Sequence, residues 1–268
     1  MKFDFSLLMS TYANDNYSYL KIALSSIASQ TLLPTETVLV IDGMIPDENY
    51  ILLEKYKHIL NIKFIQLKKN VGLGKALNVG LANCSYKWVA RFDTDDINIS
   101  NRFETQMFYL KKTSADIVGT LADVIDEQGR TTGKLNVPEN DSDIKRLIWS
   151  CPIIHPSVMF NKQKIIDIGS YHDTTHRQED YDLWIRSAFN GLIFYNIQKS
   201  LVMYRKTPEY QGKNSLSVGY NRFKIGFSAW WCFDRRVSSI VALSYPLFRP
   251  LLPSKINRLI ESNFNPRK

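Results

Sequence analysis

Within the first hundred residues, short apolar runs alternate with segments of helical periodicity, and this rhythm restricts the chain more than any other feature. Phe3–Ser10, Thr37–Asp42, Ile62–Leu67 and Trp88–Phe92 are apolar or β-branched runs too short for helices. Between them lie Tyr17–Gln30, with Leu20, Ile22, Ala23, Ile27 and Ala28 on one helical face, then the charged stretch Asp47–Leu60, then Leu73–Asn83. Strand and helix in this order predict an α/β fold with a mostly parallel central sheet and helices on both faces. Ligands of such sheets bind beyond the carboxyl ends of the strands.

Polar residues stand directly after all four runs: Ser10-Thr11-Tyr12, Asp42-Gly43, Asn70-Val71-Gly72 and Asp93-Thr94-Asp95-Asp96. They gather on one sheet edge. Beyond residue 100 the rhythm changes, with helices expected at Arg102–Lys112, Asp141–Trp149 and Glu179–Phe189. Strands are expected near Ile117–Leu121 and Ser157–Phe160, a hairpin about Glu127–Gly129, and a strand pair within Ile193–Tyr204. No repeat or low-complexity linker interrupts residues 1–212, which read as one domain.

Asp93, Asp95 and Asp96 form the densest acidic cluster. On a loop leaving a buried strand, alternate carboxylates supply oxygen ligands to Mg²⁺ or Mn²⁺ while the same ion holds phosphate oxygens; a solvated turn before the next helix is the plainer alternative. A second cluster, Glu179-Asp180-Tyr181-Asp182, precedes Leu183, Trp184 and Ala188. Its acids either serve helix N-terminal electrostatics or present a general base to a cleft. Gly72-Leu73-Gly74-Lys75 matches no phosphate loop: Lys69 and Ala76 stand where a Walker loop needs Gly and Ser/Thr, and Leu77 where a dinucleotide loop needs its third Gly. A glycine turn feeding a helix N-terminus still suits a nucleotide phosphate, with Lys75 beside it. His155, between Pro152 and Pro156, sits in a rigid loop suited to a ligand contact and has no zinc spacing to His58, His172 or His176. No nucleophile elbow is visible.

Charge adds an asymmetry. Residues 1–212 hold 24 basic and 24 acidic side chains, whereas 213–268 hold 10 basic and 2 acidic, so the net +8 belongs to the C-terminal segment. There Lys224, Arg235, Arg236 and Arg249 alternate with Phe223, Phe227, Trp230, Trp231 and Phe248. Cations among aromatics suit an anionic membrane surface. Pro246, Arg249 and Pro250 break the longest apolar stretch, so the tail is expected to lie on a membrane and not across it. No nucleic-acid-binding motif accompanies the charge, and nucleic acid is not expected as a partner. Cys84, Cys151 and Cys232 show neither disulfide nor zinc spacing, and the N-terminus has no signal-peptide pattern; both features point to the cytoplasm.

Several of these motifs recur together in one known family. Ser10-Thr11-Tyr12, the Ser-Ile-x-x-Gln of Ser26–Gln30, Val40-Ile41-Asp42-Gly43, Asn70-x-Gly72-x-x-x-Ala76-x-Asn78-x-Gly80, Asp93–Asp96, His155–Phe160 and Glu179–Trp184 resemble, in that order, family 2 glycosyltransferases of the GT-A fold. The nearest likeness is to the bacterial exopolysaccharide and O-antigen subgroup of the amylovoran type, over about residues 3–212.

The resemblance implies a UDP-sugar donor held by Thr11, Tyr12, Asp42, Asn70, Gly72, Lys75 and Asp93. It implies Mn²⁺ or Mg²⁺ on Asp95 with Asp93, and Asp180 as general base supported by Glu179. His155, Arg177 and Arg205 are assigned to the acceptor or diphosphate. Residues 1–100 become a donor half, 101–212 an acceptor half, and 213–268 a basic helical tail. The implied reaction is inverting transfer of a hexose or N-acetylhexosamine to an undecaprenyl-diphosphate-linked saccharide, forming a β-glycoside at the inner face of the cytoplasmic membrane. A sugar-phosphate nucleotidyltransferase is the alternative. It needs a glycine-rich, Arg/Lys-bearing loop after the first strand, where this chain has Ser10-Thr11-Tyr12-Ala13-Asn14-Asp15.

Overall fold

Successive side chains of a strand point to opposite faces, and the first strand shows what this does here. In β1 (Ser6–Tyr12), Leu7 and Met9 enter one buried layer and Leu8 the other. The computed structural model describes residues 3–172, 178–207, 216–249, 252–253 and 257. Arg177 lies outside them, as do Lys213, Lys255, Arg258, Arg267 and Lys268 of the basic tail.

Strands β1, β2 (Glu36–Asp42), β3 (Ile62–Gln66) and β4 (Trp88–Arg91) pair in parallel in the order β3-β2-β1-β4. Helices α1 (Tyr17–Ala28), α2 (Asp47–Tyr56) and α3 (Leu73–Asn83) make the crossovers that parallel neighbours require. Leu20, Leu24 and Ile27 of α1 and Leu52 and Leu53 of α2 bury against one face; Leu77 and Leu81 of α3 bury against the other. This half matches the sequence expectation element by element.

The second half is less parallel than expected. After the two-residue β5 (Ile97–Asn98) and α4 (Arg102–Thr113), strands β6 (Ile117–Ile125) and β7 (Thr131–Leu135) form an antiparallel hairpin. β8 (Met159–Asn161) runs antiparallel to both β4 and β6. The expected strand at Ser157–Phe160 begins instead as a 3-10 turn, His155–Ser157. The helix expected over 141–149 divides into α5 (Asp141–Arg146) and a 3-10 turn, Ile148–Ser150, closed by Cys151 at φ 61°. A short helix, α6 (Lys162–Asp167), follows β8, and α7 (Glu179–Phe189) takes the expected bounds.

The strand pair expected within 193–204 is one strand, β9 (Phe194–Arg205), parallel to β6. Its polar interruption, Gln198-Lys199-Ser200, is an irregularity in the ladder and not a turn: pairing passes from Ile197 opposite Thr120 to Ser200 opposite Leu121. The extra residues bend the strand and leave its direction unchanged.

Residues 216–249 of the basic segment fold onto this body. Helices α8 (Leu216–Phe233) and α9 (Val237–Phe248) pack on each other and on α7. Gly226 is the tightest contact, since a Cβ there would run into Tyr181 Oη and lie 2.7 Å from Leu243 Cδ1. Gly226→Val is therefore expected to cost about 1–3 kcal/mol by overpacking, measured as a lower urea midpoint at unchanged m-value.

Candidate active site

The carboxyl ends of β1, β2 and β4 meet at one edge. Tyr12 pairs with Asp42 and Leu8 with Arg91, so Thr11, Asp42 and Asp93 leave adjacent strands side by side. Asp42 is buried, and its carboxylate accepts hydrogen bonds from the amides of Val71 (2.7 Å) and Gly72 (3.0 Å). Asn70 Nδ2 donates to the Asp42 carbonyl at 3.3 Å. This knot shapes the turn into α3. It also explains why Gly follows Asp42: Gly43 has φ +88°, and a Cβ there would lie 2.7 Å from the Asn70 amide.

The acidic loop after β4 is held from several sides. Arg91, only 1% exposed, pairs through Nη2 with Asp93, while its Nε and Nη1 are buried without a hydrogen-bond partner among the described residues. Thr94 Oγ1 donates to Asp15 at 2.8 Å, bringing a fourth carboxylate from the β1–α1 loop. Arg205, at the end of β9, donates its amide to Asp96 (2.8 Å) and its Nε to the Asp95 carbonyl (2.8 Å). Its Nη1 reaches the carbonyls of Asp126 and Glu127 at 2.8 and 3.1 Å, and its guanidinium lies 4.2 Å from the Tyr19 ring centre. Below them, buried Arg102 ties Asn98, Gln106 and the Arg91 carbonyl together.

Crowded acids resist ionisation. Burial, then the charge of Asp93, pushes the Asp95 carboxyl up to about 7, but Asp95 is exposed by surface area, so solvent screens much of the burial effect and the upward direction rests chiefly on the neighbouring acids. Asp96 is enclosed, and burial followed by the charges of Asp95 and Asp93 drives it well above the usual carboxylate range. Asp15 moves upward as well, chiefly by burial.

Glu179 and Asp180 occupy the first turn of α7 and are half-buried. Asp180 Oδ1 accepts the Tyr181 amide at 2.8 Å. A Cβ on Gly74, in the first turn of α3, would lie 3.5 Å from Glu179 Cβ, so the starts of α3 and α7 adjoin. The clearest link between the two acid groups is Tyr171, a buried residue whose phenol is raised chiefly by burial while it feels the charges of Arg91, Asp180, Asp93 and Glu179 together.

Thr11, Tyr12, Asp42, Asn70, Gly72, Lys75, Asp93, Asp95, Glu179 and Asp180 thus gather around one edge. Two assignments change. His155 is a buried support: its Nε2 is 2.9 Å from Tyr171 Oη, its ring is 6.0 Å from that of Trp184, and burial holds its imidazole well below the ordinary value. Arg205 is likewise committed to the protein's own carbonyls and to Tyr19 and is not presented to an acceptor. Asp15, Arg91 and Arg102 are site residues that sequence reasoning passed over. Arg91 had a signal, a lone cation in an apolar run directly before the acids, Trp88-Val89-Ala90-Arg91-Phe92.

The donor set suits a hard divalent cation. Among the described residues no three His, Cys, Asp or Glu side chains form a preformed cage. What the chain offers is Asp95 with Asp93 beside it, matching an ion that takes one or two carboxylates and fills its remaining positions with phosphate oxygens and water.

The fold and this edge define a nucleotide-sugar transferase class, and comparison with known proteins agrees. The model for Glycosyl transferase family 2 matches residues 6–169, and the chain belongs to that family. It is 37% identical over 207 residues to UDP-Gal:alpha-D-GlcNAc-diphosphoundecaprenol beta-1,3-galactosyltransferase of Escherichia coli, covering 76% of this chain and 75% of that one. It is 35% identical over 223 residues to the amylovoran biosynthesis glycosyltransferase AmsE of Erwinia amylovora, covering 82% of each. Among solved structures, S. aureus TarS residues 1–349 in complex with UDP superposes with a TM-score of 0.67 at 21% identity, covering 97% of this chain and 74% of that one. The chain spans 52% of the longer TarS structure. The likeness to TarS carries the GT-A fold, and family membership leaves the nucleotidyltransferase alternative without support.

Proposed function

We propose that the protein is a metal-dependent inverting hexosyltransferase. It moves a hexose or N-acetylhexosamine from a UDP-sugar to a lipid-diphosphate-linked saccharide during O-antigen or exopolysaccharide repeat-unit assembly, working in the cytoplasm at the inner membrane face. The observation that carries this reading is that Asp93, with Asp95 beside it, and the α7 acids Glu179 and Asp180 all act on the buried Tyr171 phenol, while the start of α7 adjoins the start of α3. The names of the E. coli and E. amylovora relatives support the substrate class and the pathway type.

Thr11, Tyr12, Asp42 and Asn70 hold the nucleoside at the strand ends, and Lys75 with the α3 N-terminus meets the diphosphate. Asp95, with Asp93, holds the cation, which when bound supplies electrophilic stabilisation of the departing diphosphate. Asp180 takes the proton of the acceptor hydroxyl as that oxygen bonds to the anomeric carbon and the carbon–oxygen bond to diphosphate breaks. Attack opposite the leaving group inverts the centre, so an α-linked donor gives a β-glycoside.

The test is UDP release from a panel of UDP-sugars with Mn²⁺ or Mg²⁺ and a synthetic lipid-diphosphate N-acetylhexosamine. Release dependent on both acceptor and cation is expected; no release from any donor sinks the reading. A pH prediction follows from Asp95. Its carboxyl is raised to about 7, so below that pH it is protonated and neutral and must lose its proton to take a cation. The half-saturating Mn²⁺ concentration should rise by up to about tenfold for each pH unit below 7, with solvent screening reducing that slope.

A further inference from the structure

The outer sides of α8 and α9 hold an apolar, cationic surface that the reaction does not use. On α8, Tyr220, Lys224, Phe227 and Trp231 recur at spacings of four, three and four residues, which is one helical stripe, and all four are exposed. On α9, Val237, Val241 and Phe248 recur at four and seven, again one stripe; Val237 and Val241 are 77% and 65% exposed. Arg235 follows the α8 stripe, with its guanidinium 5.4 Å from the Trp231 ring centre. The opposite sides, through Gly226, Ala229, Ser239 and Leu243, are buried.

Charge separates inward from outward in the same way. Residues 216–249 contain one carboxylate, Asp234, and it is occupied by Trp149 Nε1 at 2.7 Å and by Arg236. Arg222 also turns inward, over the Tyr181 ring at 4.5 Å and onto the Ser150 carbonyl. The outward stripes therefore carry Lys224 and Arg235 among large apolar side chains and no acid. No helix among the described residues is long and apolar enough to cross a membrane.

We propose that the outer face of the α8–α9 hairpin docks on an anionic bilayer surface, with Phe227, Trp231, Val237 and Val241 entering the interface and Lys224 and Arg235 meeting lipid phosphate. Rings at headgroup depth and cations against negative lipid are the chemistry such a surface selects. The choice of a bilayer over another partner rests in part on the lipid-linked acceptor proposed above. The hairpin is also bolted to the helix bearing the proposed base: Gln178 Nε2 donates to the Val218 carbonyl at 2.8 Å, and Tyr181 packs on Gly226. Docking and Asp180 thus share one packed block, so the surface orients the Asp180 end of α7 relative to a membrane-bound acceptor.

Deleting the segment is a poor test, because it would strip the cover from Tyr181 and Trp149. The informative variants of the full chain are the outward pairs Lys224→Glu/Arg235→Glu and Trp231→Glu/Val241→Glu. Flotation with phosphatidylcholine vesicles, with and without phosphatidylglycerol, should show binding that requires phosphatidylglycerol and falls with salt. Each pair should weaken it by about tenfold or more. UDP binding in both variants should match the parent and would show the fold intact. Equal flotation with neutral vesicles, no flotation of the parent, or undiminished flotation of both variants overturns the proposal. A parent dimer in sedimentation that both variants dissolve, without vesicle binding, also overturns it and assigns the face to a second copy. Flotation needs no turnover, so failure of UDP release alone would sink the catalytic reading and leave this one standing.

Discussion

Asp180→Asn should lower kcat by about a thousandfold or more while leaving UDP affinity within about twofold of the parent. The substitution is clean for a structural reason. Asp180 lies in the first turn of α7 with Oδ1 accepting the Tyr181 amide, and an asparagine Oδ1 accepts the same bond. Size and the hydrogen bond from the Tyr181 amide survive, whereas the basic carboxylate is lost. Single-turnover rates and UDP titrations separate the two quantities. A parallel loss of UDP affinity would show that Asp180 holds the donor and is not the base.

Asp95→Ala should also cost about a thousandfold in turnover and should abolish any cation-dependent gain in UDP affinity. Stability sets it apart from its neighbour. The Asp95 carboxyl is raised to about 7, above its value in an unfolded chain, so the folded protein holds that proton more tightly. Its ionisation is a penalty that is absent below about pH 4, grows as pH rises toward 7, and is complete above it. Without divalent cation, Asp95→Ala should therefore melt at the same or a higher temperature than the parent at pH 8. Asp93→Ala removes the carboxylate that pairs with Arg91, whose other nitrogens already lack partners. That variant should lose about 1–3 kcal/mol, since buried Arg91 then has no directly paired carboxylate and keeps only the charges of Asp95 and Asp96. Equal melting temperatures for the two variants would contradict the division drawn between these acids.

The strand ends were legible in the sequence because each lies within a few residues of its own strand. Apolar runs, helical spacings and the polar residues between them are local signals, and they located Thr11, Asp42, Asn70, Gly72, Asp93 and Asp95 together. The acids opening α7 were legible for the same reason, whereas their neighbours, the start of α3 and Tyr171, became visible only in the fold. His155 and Arg205 misled because residue type says nothing about what a side chain faces. One lies under Trp184; the other clamps a loop 110 positions away in the chain.

The sequence by itself determined the α/β alternation, the common edge of the strand-end polar motifs, the acidic pair, and the basic aromatic character of the C-terminal segment. Only the tertiary structure decided that Arg91 backs Asp93, that Asp15 joins the acidic loop, and that β9 is one irregular strand whose end holds that loop in place. It also decided that residues 216–249 of the basic segment form a hairpin packed on the helix of Asp180, with one side buried and the other outward. The first set depends on periodicity and composition, which act over a few residues. The second depends on which distant groups exclude water from one another, and that is settled when the layers close.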